Sequence, residues 1–573
     1  MELILKLKLK SIRRNTFLNL KKQVFLYSLE TKDFYTEEEN LINEKYFKAL
    51  RIKSEFINKK ENLYKKLNKK DISLEEQISY SNDLKFYDDI IKRANYIVNK
   101  FKNKLNDVIE SFEGIRTLRD GSLKVNKEVG LFESSLTRKC AMKSNKLTED
   151  MFIVRVFHYS ILKSIIDNGF YHDNKLYIYF TSSAGQIRTK KIVCIKKELY
   201  LKYENTITCG LNVDLINSKG GVNTNKYQAY LALTNSASME WKRFNIDRIV
   251  VVDDIETKVN TEVDYIDRNT FEITRQVMDV PIEHMDGCGI MLPSVSKSSF
   301  MFRMPWMKGL LTPFDFVKFI EETGASPIIK DIYGKQYNII DDNINIILTK
   351  SQFKMWKFYD SWEDYKFKFK EYKCEASKLN IEDIGSKATI NYQMLQTLTS
   401  MTEDEITKIA QESINDILSI GSDKNVMLKA LGATKENKNP NYFQKSLLLY
   451  PELLSDSHSR EVIKSKKRSM VNDARSGKVT VNGYYTFIIP DVYAFCEWLF
   501  LGEENPKGLL LNKEVHCKIH NQGEIDVLRA PHLYREHAIR YNKFNDELDK
   551  WFITKGIYTS VHDPISKILQ FDK

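Results

Sequence analysis

The chain has 573 residues, of which 42% are hydrophobic, 12% aromatic and 29% charged; this composition excludes a disordered polymer, and the length calls for roughly three to five domains. The formal net charge of +11 favours polyanionic partners such as nucleic acid, although lysine enrichment alongside many Asn, Ile and Tyr is equally the mark of an AT-rich genome. Seven cysteines stand singly at 140, 194, 209, 288, 374, 496 and 517, so neither a zinc ribbon nor a disulfide framework is expected and a reducing cytoplasm fits best.

In chain order, residues 1–10 alternate Leu3, Leu5, Leu7 and Leu9 with Lys6, Lys8 and Lys10, the period of a half-exposed strand and not of a signal peptide. Residues 36–112 are rich in Lys, Glu and Asn, with Leu41, Tyr46, Leu50, Phe56, Leu63 and Leu67 at helical spacing. They predict two or three long exposed helices, either a basic arm for nucleic acid or a solvated amphipathic hairpin. From 150 to 270 short β-rich runs follow (176–180, 192–195, 248–252), and more short strands with Gly and Pro turns run from 271 to 375. A helical connector comes next. Thr402 and Glu405 make a capping box, Ile406, Ile409, Ala410, Ile414, Ile417 and Leu418 form one apolar face, and Gly432 is a stop signal. From Gly477 the texture returns to β, and no sequence repeat of fixed period is present. The most apolar window, 484–501, carries Pro490, Asp491 and Glu497, so no membrane span is expected.

Four stretches carry candidate chemistry. Residues 285–311 hold an Asp286-Gly287-Cys288-Gly289 turn, then Phe302-Arg303-Met304-Pro305 and Lys308-Gly309. Gly309 would let backbone approach a ligand, and Lys308 offers a point charge suited to phosphate, although a surface lysine beside a turn glycine explains the pair too. In residues 346–356 an apolar strand ends and Lys354 follows Ser351-Gln352-Phe353, as at any strand-to-helix boundary. In residues 524–540 a strand delivers Arg529 just before Ala530-Pro531. Proline holds the preceding residue extended, and a guanidinium there could donate a forked pair of hydrogen bonds to a ribose or a phosphate. Asp572, after the apolar run Ile568-Leu569-Gln570-Phe571, is a loop carboxylate that cannot by itself satisfy an octahedral Mg²⁺.

In this order the four stretches resemble the two-barrel RNA polymerase superfamily, which includes the eukaryotic-type RNA-dependent RNA polymerases of RNA silencing and the single-chain polymerases of phages and prophages. The resemblance implies that Lys308 and Lys354 are the lysines of the first double-psi β-barrel, that Arg529 reads the incoming ribose, and that Asp572 is the first aspartate of an Asp-x-Asp-Gly-Asp motif binding Mg²⁺. Upstream, Phe180-Thr181-Ser182-Ser183-Ala184-Gly185-Gln186-Ile187-Arg188 and the Lys226-Tyr227-Gln228-Ala229-Tyr230 stretch are similar to two further family elements, to which sequence assigns no chemical role. The likeness covers about residues 150–573.

The expected fold is α+β: an N-terminal helical arm (1–130), an α/β head (131–270), a first double-psi β-barrel (271–375), a helical connector (376–475) and a second double-psi barrel (476–573). That second barrel is expected to be incomplete, because the sequence stops inside the Asp-x-Asp-Gly-Asp motif. The expected function is a template-dependent RNA polymerase of phage or mobile-element type, a cytoplasmic enzyme using nucleic acid template, nucleoside triphosphates and Mg²⁺ to make RNA, without a membrane. With Asp572 as the one aspartate of its motif, this chain is expected to be inactive by itself. The alternative is a catalytically inactive nucleic-acid-binding fragment, or half of a split polymerase. His516 and His520, four apart around Cys517, are expected to be structural or surface residues and not a metal site. The run Lys464-Ser465-Lys466-Lys467-Arg468 with Arg475 is either a nucleic-acid contact or a solvated helix face.

Overall fold

The computed structural model describes residues 22–67, 73–383, 385, 387–435, 437, 440–529 and 537–563; the strand expected over 1–10 lies outside them. The backbone is α+β and forms two compact units, Lys22–Ala237 and one that begins at Ser238. No helix among the described residues is long and apolar enough to cross a membrane.

The first unit opens with β1 (Gln23–Glu30), whose Val24, Leu26 and Leu29 are fully buried. Two long helices follow, α1 (Glu37–Leu67) and α2 (Leu74–Glu110), where the helical spacing predicts them. They lie side by side, with the rings of Phe56 and Tyr87 5.9 Å apart and Lys60 paired with Asp88. Ser73 and Glu76 close the capping box that starts α2. Its buried residues, Ala94, Val98, Leu105 and Ile109, recur at helical spacing and form one stripe. At the root of α1, β2 (Arg116–Thr117) supplies Arg116. Its guanidinium grips both Glu39 oxygens at 2.9 and 3.0 Å, with both side chains out of solvent.

The chain then runs through β3 (Glu128–Phe132), β4 (Leu147–Arg155), α3 (Tyr159–Asn168), β5 (Phe170–His172), β6 (Lys175–Thr181), β7 (Lys191–Lys196), α4 (Lys197–Thr208) and α5 (Thr224–Leu231). The seven strands form one sheet, β2-β5-β6-β7-β4-β1-β3. Its core is aromatic: Phe170 stacks on Tyr177 at 5.3 Å, and Phe152 meets Tyr177 at 4.9 Å.

The second unit contains β8 (Met239–Glu240), β9 (Ile249–Val252), the hairpin β10 (Glu256–Ile266) and β11 (Ile273–Glu283), β12 (Cys288–Met291), β13 (Phe300–Met304), β14 (Met307–Pro313), α6 (Phe316–Thr323), β15 (Ile328–Lys330), β16 (Gln336–Asn338), β17 (Ile346–Thr349), α7 (Trp362–Glu371) and β18 (Ser377–Ile381). A helical connector follows: α8 (Glu403–Ser419), α9 (Lys424–Leu431), α10 (Tyr442–Leu449) and α11 (Ser457–Arg475). Thr402 caps α8 through the expected box with Glu405, and Gly432, at φ +73°, ends α9. The last elements are β19 (Ile488–Ile489), β20 (Glu514–His516), β21 (Gly523–Val527), β22 (Ala538–Asn542), α12 (Asp546–Trp551) and β23 (Ile557–Thr559).

Two sheets of this unit share one topology. In the first, five strands stand in the order β13-β14-β12-β17-β9; in the second, the order is β21-β22-β20-β23-β19. Numbered along the chain, each set reads third, fourth, second, fifth, first. Directions agree as well: first and fifth are parallel, fifth and second antiparallel, second and fourth parallel, fourth and third antiparallel. A helix, α6 or α12, follows the fourth strand in both. The repeat is one of backbone topology, which explains why no fixed period exists in the sequence. The two equivalent helices pack together: Phe314 stacks on Trp551 at 5.3 Å, Phe319 meets its edge at 6.1 Å, and Lys550 pairs with Glu322 at 2.6 Å.

Candidate active site

Lys308 and Lys354, 46 positions apart, are brought together by the first of the repeated sheets. Lys308 stands at the start of β14, opposite Arg303 on β13. The turn between these strands is Pro305-Trp306, and Trp306 sits at φ +63°, a backbone position usually taken by Gly and strained for a bulky side chain. Two contacts hold that turn. The Tyr365 hydroxyl on α7 donates to Pro305 O at 2.8 Å, and the Lys354 amide donates to Trp306 O at 2.9 Å. Phe353 bridges to Met307. Lys354 is half-buried between Phe353 and Met355, which are 1% and 0% exposed; Phe353 packs edge-on to Tyr365 at 4.9 Å. Both lysines therefore leave backbone that is fixed on either side.

The segment that carries Lys354 is clasped at its start. Asp253 and Asp254 follow β9 directly, and the turn Lys350–Gln352 follows the neighbouring parallel strand β17. Asp254 accepts from the Ser351 amide at 2.7 Å and its hydroxyl at 2.6 Å, while Lys350 pairs with Asp253 at 2.7 Å. The Gly287 amide donates to Ser351 Oγ at 2.9 Å, so the Asp286-Gly287-Cys288-Gly289 turn joins the same clasp. Burial pushes the Asp254 carboxyl up to about 6 against the Ser351 hydrogen bonds, with Glu283 and Asp286 pushing the same way.

Gly309 has a different job from the one its sequence suggests. A Cβ there would lie 2.1 Å from Gln352 Nε2 and 2.6 Å from Gly287 O. The space above Gly309 is filled by the fully buried Gln352 side chain, not left for a ligand. Gln352 donates to Gly287 O at 3.1 Å and Leu310 O at 2.9 Å, and accepts from the Thr349 amide at 3.2 Å.

Arg529 lies two residues past β21, the third strand of the second repeated sheet. β13 and β21 are the third strands of their sets, and both run into an Arg-x-Pro sequence: Arg303-Met304-Pro305 and Arg529-Ala530-Pro531. Asp572 lies outside the described residues. Among the described residues Asp563, just past β23, makes a buried two-point ion pair with Arg540 on β22, one arm at 3.0 Å.

The two upstream elements meet in the first unit. Ser183 caps the short helix Ala184–Arg188 through Gln186, and the Thr181 hydroxyl donates to Gln228 O on α5 at 2.7 Å. His516 and His520 do not share a site: β20 ends at His516, whose Nδ1 lies 2.8 Å from Lys543 O, while the His520 ring lies 5.7 Å from Tyr484. Burial lowers the His516 pKa. Among the described residues the one three-member group with metal-ligating spacing is Glu149, His172 and Asp173. It lies in the first unit, where His172 approaches Glu149 at 3.3 Å and Asp173 at 3.6 Å.

The clasp of Asp254, Ser351 and Gln352 escaped the sequence. Its one available signal was the Asp253-Asp254 pair ending a fully apolar strand. Arg540 left no signal, because β22 buries Ala538, Arg540 and Asn542 while exposing Ile539 and Tyr541, the inverse of the usual period-two pattern.

No protein-family model matches the chain. It is 51% identical over 559 residues to a protein of Bacillus phage SPbeta named DNA-directed RNA polymerase YonO. That match takes in 96% of this chain and 63% of the phage protein, so the chain spans a little under two thirds of the relative's length. Lys308, Lys354, Arg529 and the repeated sheets thus lie in a chain similar, along nearly its whole length, to a phage DNA-directed RNA polymerase.

Proposed function

We propose that the chain carries the core of a template-dependent RNA polymerase of phage type, which copies DNA into RNA from nucleoside triphosphates. The observation that carries this is the pair of sheets with one strand order and one set of directions, the first of which joins Lys308 to Lys354. The sequence likeness to a phage DNA-directed RNA polymerase supports both the reaction and the DNA template. In this reading each sheet is the frame of a double-psi β-barrel. Lys308 and Lys354 neutralise triphosphate charge from fixed backbone, and Arg529 orients the ribose through its forked donors. Asp572 is the residue of this chain proposed to hold Mg²⁺, which when bound supplies positive charge at the phosphates. Three described carboxylates are otherwise engaged: Asp253 by Lys350, Asp254 by Ser351 and Asp563 by Arg540.

The test is nucleotide incorporation with Mg²⁺ and four ribonucleotides on matched single-stranded DNA and RNA templates, for this chain continued through a complete Asp-x-Asp-Gly-Asp motif and for the Lys308→Ala and Lys354→Ala variants of that longer polypeptide. The expected result is DNA-directed RNA synthesis that both substitutions abolish while template binding survives. Near-normal elongation by either variant would overturn the assignment. Salt-sensitive binding with no turnover in the longer polypeptide would favour a nucleic-acid-binding protein instead.

A further inference from the structure

The connector contains a surface that the lysine site does not explain. Arg460, Lys464, Lys467, Arg468 and Arg475 all lie on α11, and all five are exposed. At 100° per residue they fall within about 100° of arc, so they form one stripe. The rotation of the helix is fixed by its other side: Ile463 and Met470 pack into a small core with Ile420, Ala433, Leu447 and Leu454. That core turns the cationic stripe to solvent. Axially it runs about 22 Å from Arg460 to Arg475 at 1.5 Å per residue.

What distinguishes this stripe from an ordinary solvated face is its lack of counter-charge. Elsewhere in the connector and its flanks three lysines are paired: Lys387 with Glu412 at 2.8 Å, Lys424 with Glu452 at 3.1 Å, and Lys429 with Asp416 at 3.3 Å. Among the described residues no carboxylate lies within ion-pair range of Arg460, Lys464, Arg468 or Arg475. Lys467 reaches only the Ile420 carbonyl, at 3.4 Å. Like charges at i and i+4, as in the series Arg460, Lys464 and Arg468, destabilise an isolated helix, so the pattern is costly unless an anion lies along it.

We infer that the exposed stripe of α11 is a contact for the phosphate backbone of a nucleic-acid duplex, which in the polymerase reading is the template–transcript hybrid. A straight run of about 22 Å matches roughly six base pairs at 3.4 Å each. Residues 457–475 include no Phe, Tyr or Trp, and stacking aromatics are what single-strand grooves add to their cations. The stripe therefore reads charge and shape, not base sequence.

The identity of the duplex rests on the proposed function; the binding itself does not. The test is fluorescence anisotropy of a labelled RNA–DNA hybrid against salt concentration, for the unmodified chain, for R460Q/K464Q/R468Q/R475Q, and for K387Q/K424Q/K429Q as a paired-lysine control. Circular dichroism reports folding. The expected result is that the α11 variant binds at least ten-fold more weakly at low salt. Its slope of log affinity against log salt should fall by about 3 to 4, near 0.9 for each lost phosphate contact. The control should keep the original slope, and R460K/R468K/R475K should keep it as well. A folded α11 variant with unchanged slope overturns the inference, as does absence of hybrid binding by the unmodified chain. Loss of slope in the α11 variant, together with no incorporation by the chain continued through a complete Asp-x-Asp-Gly-Asp motif, would sink the polymerase reading and leave the stripe standing.

Discussion

Replacing Gly309 by Ala tests the mechanical link between the two lysines. The new Cβ would stand 2.1 Å from Gln352 Nε2 and 2.6 Å from Gly287 O. The second atom can retreat only by stretching the bond in which Gly287 O accepts the Leu310 amide at 2.8 Å, which adds to the cost. Gln352 must leave, and three buried hydrogen bonds go with it, those to Gly287 O, Leu310 O and the Thr349 amide. At about 1 kcal/mol each, the local cost is about 3 kcal/mol. Hydrogen exchange followed by mass spectrometry on peptides covering residues 346–356 should then show the Thr349 amide exchanging roughly 100-fold faster, at 1.4 kcal/mol per decade. The Lys354 amide, bonded to Trp306 O, should follow it. Because Gln352→Ala removes the same three bonds, the double variant should cost less than the sum of the single ones. A less than three-fold rise at Thr349 in Gly309→Ala would show that Gln352 does not hold this segment.

Two further perturbations probe the same framework. Asp254 has its carboxyl raised to about 6 by burial, so the folded chain favours its protonated form. Its cost to stability is absent near pH 3.8, grows as pH rises and is complete above pH 6, at most about 3 kcal/mol. Urea unfolding of Asp254→Asn at pH 4.5 and 7 should show the variant gaining on the unmodified protein at the higher pH; parallel pH profiles would refute this. In the first unit, Arg116→Ala leaves Glu39 buried without its two-point partner. It should cost about 3–5 kcal/mol, read as a lowered unfolding midpoint, whereas a change under 1 kcal/mol would show that water reaches Glu39.

Sequence showed most clearly those elements whose signals are local. The paired helices α1 and α2, the capping box at Thr402 and the stop at Gly432 each depend on residues within one or two turns, so period and caps disclosed them. Motif order singled out Lys308 and Lys354 one residue at a time, without the contacts that hold them. What fixes Lys354 is a chain of contacts from Asp254 to Ser351 to Gly287, spanning about 100 positions along the sequence. No local pattern encodes such a contact. Gly309 was misassigned for the same reason: a glycine reports that something comes close, and only the fold says that the close group is Gln352. The repeated sheets were invisible as a repeat, since strand order and direction constrain hydrophobicity at each strand without constraining identity.

The repeat itself makes a last prediction. In the first sheet the segment leaving the fifth strand is tied down by a carboxylate, Asp254, and carries a lysine. In the second, the segment leaving the fifth strand is tied down by a guanidinium, and the tethered residue is an acid, Asp563. Arg540 and Asp563 are 7% and 1% exposed, so neither charge has water to fall back on. Arg540→Met should therefore cost about 3–5 kcal/mol by stranding Asp563. Arg540→Met with Asp563→Leu, which removes both charges, should recover most of that loss, because well-packed apolar groups replace buried ion pairs at little net cost. The cycle of four proteins, unfolded in urea, gives the coupling directly. A coupling of at least about 2 kcal/mol means that this pair anchors the exit from β23 at Asp563. Additive losses would mean that other contacts of Asp563 anchor that exit, and that the two sheets share a topology without sharing a way of anchoring their fifth-strand exits.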